Sequence, residues 1–191
     1  MVQSNLLEVD WSKIPAPSDD GGAAQLVSMR IPDVSLVATD DTTVTLSALA
    51  GRVVVFAYPR TGEPGKISLV DDWDMIPGAR GCTPQTCSFR DLYTDLKAAG
   101  ARQVFGLSTQ SNAYQAEMAA RLHLPFPVLS DEKLELTRAL NLPTMQVAGL
   151  TLIRRLALIL DDARITHVFY PVFPPDRNAG DVLAWLNENL V

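Results

Sequence analysis

The sequence predicts an α/β fold, a mixed β-sheet with helices on both faces. Three features point to it. Residues 52–58 (R-V-V-V-F-A-Y) and 103–108 (Q-V-F-G-L-S) are apolar runs containing β-branched residues, the pattern of strands covered on both sides. Each is followed by apolar residues at helical spacing. Residues 156–160 (L-A-L-I-L) and 164–170 (R-I-T-H-V-F-Y) flank D-D-A as a β-hairpin, and a helical pattern closes the chain.

The 191 residues suit one domain with an ample core. A net charge of −6, with acidic residues dispersed, argues against nucleic acid or an anionic membrane as partner. No run approaches a membrane span, and the N-terminus lacks the basic and apolar regions of a signal peptide. The expected setting is therefore cytoplasmic and reducing, which disfavours a structural disulfide.

Residues 1–24 combine apolar side chains (Leu6, Leu7, Trp11, Ile14) with P-A-P-S-D-D-G-G and read as an arm and connector, leaving 25–191 as the domain. Trp11 is expected to dock on the domain or on a second subunit. Over 26–49, V-S-M-R-I and V-S-L-V-A read as short strands and T-D-D-T as a turn, an N-terminal β-hairpin extension. The strand at 52–58 ends at Pro59. The following loop, up to Gly81, is long enough to be functional rather than a simple connection.

A helix is expected next, with Thr83 as candidate N-cap, Pro84 at its first position and Phe89, Leu92, Tyr93 and Leu96 on one face, closed by Gly100. Beyond the strand at 103–108, Ser111 caps a helix bearing Tyr114, Met118 and Leu122. Residues 125–130 give a short strand, 131–140 a helix with Leu134, Leu136 and Leu140, and 178–190 the last helix. His123 and His167 read as structural, and their spacing from the cysteines matches no zinc site.

Of the chain's two cysteines, Cys82 falls at the start of the first helix and Cys87 a turn and a half into it. A thiol there faces unpaired N–H groups and the positive end of the helix dipole, which favour thiolate. Arg80, two residues upstream, is a candidate cation. Five residues of helix separate the two Cα atoms by about 8.7 Å, beyond the roughly 7 Å a disulfide tolerates. A bond between them requires the first turn to unwind, as suits a reversible, catalytic or redox-sensing pair.

Y-P-R at 58–60, G-C-T-P-Q-T-C-S-F-R-D at 81–91, G-L-S-T at 106–109 and P-V-L-S-D at 127–131 together resemble a peroxiredoxin of the peroxiredoxin Q (bacterioferritin comigratory protein) type. The strand followed by a helix with its redox cysteine at the start is the thioredoxin-like arrangement. The resemblance implies reduction of hydrogen peroxide and organic hydroperoxides without metal or organic cofactor. It implies Cys82 as peroxidatic cysteine, Cys87 as resolving cysteine, and thioredoxin or a glutaredoxin-like protein as reductant of a monomer or homodimer. Pro59 matches the family's proline and Arg155 its distant arginine, with Arg154 a competing candidate. Ala79 stands where the family has a threonine, so either Thr61 or Thr83 replaces its hydroxyl or the hydroxyl is absent. Two other readings are a thiol-disulfide oxidoreductase, disfavoured by C-x-x-x-x-C in place of C-x-x-C, and a non-enzymatic redox sensor.

Overall fold

A computed structural model describes residues 9–190, so Leu6 and Leu7 lie outside the described residues. The strands are β1 (Ser35–Ala38), β2 (Thr43–Thr45), β3 (Arg52–Ala57), β4 (Gln103–Ser108), β5 (Val128–Ser130), β6 (Thr144–Val147), β7 (Leu150–Ile153), β8 (Leu156–Asp161) and β9 (Arg164–Phe169). The helices are α1 (Cys82–Asp91), α2 (Tyr93–Ala98), α3 (Asn112–Arg121), α4 (Glu135–Leu140) and α5 (Asn178–Glu188). Seven strands form one sheet in the order β2-β1-β5-β4-β3-β8-β9, with β3, β4 and β5 parallel and the other pairings antiparallel.

Every residue of β3 is buried, because successive side chains enter two different cores. Val53, Val55 and Ala57 face Leu136 and Leu140 of α4 together with Leu26 and Ile31. Val54, Phe56 and Tyr58 face the other four helices through Phe89, Leu96, Met118, Val182 and Leu186. Helices thus cover both faces, four on one and one on the other. Phe56 and Phe89 stack with ring centroids 4.0 Å apart, which fixes α1 on the sheet.

Four local expectations need correction. Residues 27–31 are not a strand; only Arg30 bridges to Arg164, and the hairpin is β1–β2, which joins the main sheet through β5. The N-cap of α1 is Gly81, in a left-handed conformation at φ 103°, which puts Cys82 rather than Pro84 at the first helical position. The helical stripe from Phe89 to Leu96 is interrupted at Leu92, so α1 and α2 are separate. The helix expected over 131–140 begins at Glu135, since Asp131 is spent accepting from the backbone N–H groups of Leu136 (3.1 Å) and Thr137 (2.7 Å).

The β6–β7 hairpin was not anticipated; its turn, Ala148-Gly149, lacks the usual Asn-Gly or Asp-Gly signal. Met145, Val147 and Leu152 from this hairpin pack with Trp73 and Ala79 in a third, small core. The long loop after Pro59 is therefore anchored through Trp73. His123 follows α3, and His167 lies in β9 stacked on Trp185 at 4.9 Å, where burial lowers its pKa.

Candidate active site

Cys82 is the first residue of α1 and is buried. It closes one end of a cavity of about 70 Å³ whose walls include Arg60, Thr61, Trp73 and Thr83. The N–H groups of Cys82 and Thr83 donate to no carbonyl among the described residues, as expected for an opening helical turn. Helix geometry leaves such groups directed along the axis beyond the N-terminus.

Arg155 completes the arrangement. It follows β7, is almost wholly buried, and its Nη2 donates to Cys82 Sγ at 3.3 Å. The same nitrogen lies 3.2 Å from the carbonyls of Gly78 and Ala79 and 3.0 Å from that of Arg80. Nη1 donates to Gln85 Oε1, and Gln85 Nε2 donates to Asn178 Oδ1 of α5 at 2.9 Å. The guanidinium is thereby held in a fixed plane with one edge against the sulfur. Cys82 Sγ also lies 3.5 Å from the Ala79 carbonyl, and the guanidinium is a charged donor to the sulfur.

Of the two candidate arginines, only Arg155 reaches the sulfur. Arg154 turns the other way, donating to the Thr144 carbonyl at 3.0 Å and lying 3.7 Å from Asp20. Arg80 is no cation for the thiol; its guanidinium pairs with Asp74 at 3.0 Å, and only its carbonyl serves the site. Pro59 is buried at the end of β3, where its carbonyl accepts from Ser108 Oγ at 3.2 Å, and the chain beyond it forms the cavity wall at Arg60 and Thr61.

Both Thr61 and Thr83 border the cavity. The Thr61 hydroxyl donates to Gln110 Oε1 at 3.1 Å. Tyr58 donates to Gln115 at 2.9 Å, and burial raises its pKa well above the usual value, so it is a neutral phenol. Gln85 was visible in the sequence only as a motif residue without a role; lying three positions after Cys82, it links Arg155 to α5.

Cys87 is a free, buried thiol on the same helix. Burial pushes its pKa above the ordinary 9.0, with the nearby Arg90 guanidinium opposing the shift. It is therefore protonated at neutral pH. The two cysteines differ in surroundings: Cys82 meets the Arg155 guanidinium at a helix start, whereas Cys87 is buried further along the helix with Arg90, Asp91 and Arg121 nearby.

The cavity beside Cys82 adjoins a larger groove of about 420 Å³, with which it shares Arg60, Thr61, Gly62, Ser68 and Trp73.

A Redoxin family model matches residues 26–183. Peroxiredoxin Q, chloroplastic, from Triticum aestivum is 30% identical over 88% of this chain and 73% of its own length. The protein of the same name from Oryza sativa subsp. japonica is 32% identical over 82% of this chain and 64% of its own. The crystal structure of peroxidoxin BcpB from Mycobacterium tuberculosis superposes with a TM-score of 0.67 at 25% identity, covering 85% of this chain and 96% of that one. The family match, the relatives and the shared thioredoxin-like fold place the chain among the peroxiredoxins, in the peroxiredoxin Q type of thiol-dependent peroxidase.

Proposed function

We propose that this peroxidase reduces hydrogen peroxide and organic hydroperoxides through Cys82 and regenerates itself through Cys87. The observation that carries the assignment is the Arg155 guanidinium, 3.3 Å from Cys82 Sγ at the opening of a helix and beside a cavity. The Cys82 thiolate attacks the terminal oxygen of the hydroperoxide. An S–O bond forms and the O–O bond breaks; the sulfur becomes a sulfenic acid, and the departing oxygen takes a proton to leave as water or alcohol. Arg155 and the first N–H groups of α1 stabilise the negative charge as it passes from sulfur to the departing oxygen. Pro59 directs the chain that walls the cavity.

Resolution follows by local unwinding. The Cys87 thiol displaces hydroxide from the sulfenic sulfur, its proton completes a water molecule, and an intramolecular disulfide remains. A dithiol protein of the thioredoxin or glutaredoxin-like type then reduces this bond and is itself oxidised. The chemistry is complete within one chain, so a monomer or a homodimer serves equally. The compartment we propose is the reducing cytoplasm, because both cysteines are free and this pair must return to the dithiol in each cycle; cell fractionation checks it.

The test is a peroxidase assay coupled to thioredoxin and its reductase. Cys82→Ser should abolish peroxide consumption, and Cys87→Ser should allow one turnover and then accumulate sulfenic acid. Full coupled activity in Cys82→Ser would overturn the assignment.

A further inference from the structure

Within residues 9–24, Trp11 and Pro17 touch the loop whose carbonyls hold Arg155, and Asp20 reaches Tyr170 and Arg154 beside it. Pro17 lies against Gly78, whose carbonyl accepts from Arg155; a Cβ added at Gly78 would stand 3.6 Å from the proline ring. Asp20 accepts from the Tyr170 hydroxyl at 2.7 Å and lies 3.7 Å from Arg154, next to the catalytic guanidinium in sequence. The tightest contact is made by Trp11. Its ring rests directly on Gly81, the N-cap of α1, where an added Cβ would come within 2.7 Å of Cη2. The indole Nε1 donates to Asp176 at 2.8 Å, and the ring meets Phe173 edge-on with centroids 6.0 Å apart.

Asp176 belongs to the short turn at Pro175–Arg177 that leads into α5. Pro175 touches Gly81 from its own side, so a glycine without a side chain is held between an indole and a proline. The backbone at Gly81 also accepts the first helical hydrogen bond, from the N–H of Gln85 at 3.0 Å. Gln85 in turn holds Arg155. Fixing Gly81 therefore fixes the first turn of α1, the cysteine upon it and the glutamine that orients the guanidinium.

We propose that Trp11 is a positioning residue of the peroxidase cycle: docked on Gly81, it holds α1 in the peroxide-reactive form, and formation of the Cys82–Cys87 disulfide expels it. The inference rests on the roles proposed above for the two cysteines. The two sulfurs cannot bond while the first turn is helical, and unwinding that turn removes the surface on which the indole sits. Docking and disulfide formation are thus mutually exclusive, and linkage makes the effect reciprocal: what the docked arm adds to the stability of the reduced site, the disulfide must overcome to release the arm. The arm favours the first chemical step and opposes the second.

The full chain and its Trp11→Ala and Trp11→Phe variants are mixed with hydrogen peroxide and quenched at intervals, and sulfenic acid and disulfide are counted by mass spectrometry. Trp11→Ala should react more slowly with peroxide yet convert sulfenic acid to disulfide about tenfold faster, equivalent to about 1.4 kcal/mol. Trp11→Phe, which keeps a ring over Gly81 but loses the bond to Asp176, should lie between. In the wild-type protein, the Trp11 indole N–H resonance, assigned by its absence in Trp11→Phe, should move to a solvent-exposed position on oxidation. Disulfide formation at the wild-type rate or slower in Trp11→Ala, or an indole resonance unchanged by oxidation, would overturn the proposal. Failure of wild-type Cys82 to react with peroxide would instead overturn the cysteine assignment.

Discussion

Replacing Arg155 with methionine tests the geometry most directly. Methionine retains an apolar stem in a site that is 2% exposed but removes every donor. The lost contact to Cys82 Sγ, at 3.3 Å, is a hydrogen bond from a charged group, worth about 1.5–3 kcal/mol. A donor aimed at charge developing in a transition state is worth about 2.7–4 kcal/mol, or 10²–10³ in rate. The second-order rate constant for hydrogen peroxide, followed by stopped flow on reduced protein, should therefore fall about 10²–10³-fold. Folding should also suffer, since the carbonyls of Gly78, Ala79 and Arg80 and the Gln85 amide oxygen lose their donor. One Nη2 serves all three carbonyls, so their separate penalties should not be summed, and the loss should be about 2–4 kcal/mol in urea denaturation. Arg155→Lys keeps a charge but cannot span Gln85 and the sulfur together, so its rate should fall between the two. A folded Arg155→Met that reacts within threefold of wild type would show that the guanidinium does not act on the sulfur.

Three other outcomes follow from the packing. Because burial raises the pKa of Cys87 above 9.0, its folded form binds the proton more tightly than the unfolded chain; the resulting stability is present at neutral pH and lost as pH rises through the folded value. The urea midpoint of the reduced protein should drop above pH 9, and the drop should be smaller in Cys87→Ala, a comparison that leaves the tyrosines in common. Gly81→Ala introduces a Cβ 2.6 Å from Pro175 Cγ at φ 103°, whereas Gly100→Ala, at φ 100°, meets nothing within 4 Å. Both incur strain of about 1–3 kcal/mol, so equal losses of stability in the two variants would deny the contact at Gly81. Phe89→Ala removes the ring stacked on Phe56 and should cost about 3–5 kcal/mol, measured by denaturation.

Much of this was legible in the chain because the relevant signals are local. The runs at 52–58 and 103–108 carry no polar side chain over 53–57 and 104–107, the pattern of strands buried on both faces, and they became the central parallel pair. Cys82 stood out because glycine and proline mark a helix start around it. Residues 27–31 misled because β-propensity in a short segment is easily overridden; Leu26 and Ile31 are buried in the core without a ladder between them. The hairpin at 144–153 was hidden by an unusual turn. Gln85 and Asn178 could not be read as partners, because a contact across 93 positions leaves no trace in either segment. The same holds for Trp11: a tryptophan near a chain end suggests docking, but only the fold shows that its target is the residue before the cysteine.

The small core of Trp73, Ala79, Met145, Val147 and Leu152 stands apart from the two cores that flank the main sheet. Both halves of the catalytic pair hang from it: Ala79 lies three residues before Cys82, and Arg155 emerges two residues after the hairpin strand that ends at Ile153. Opening this cluster separates sulfur from guanidinium without breaking a ladder of the seven-stranded sheet. On heating, catalysis should accordingly be lost before global melting, with backbone amides in β6 and β7 exchanging with deuterium sooner than those in β3 and β4.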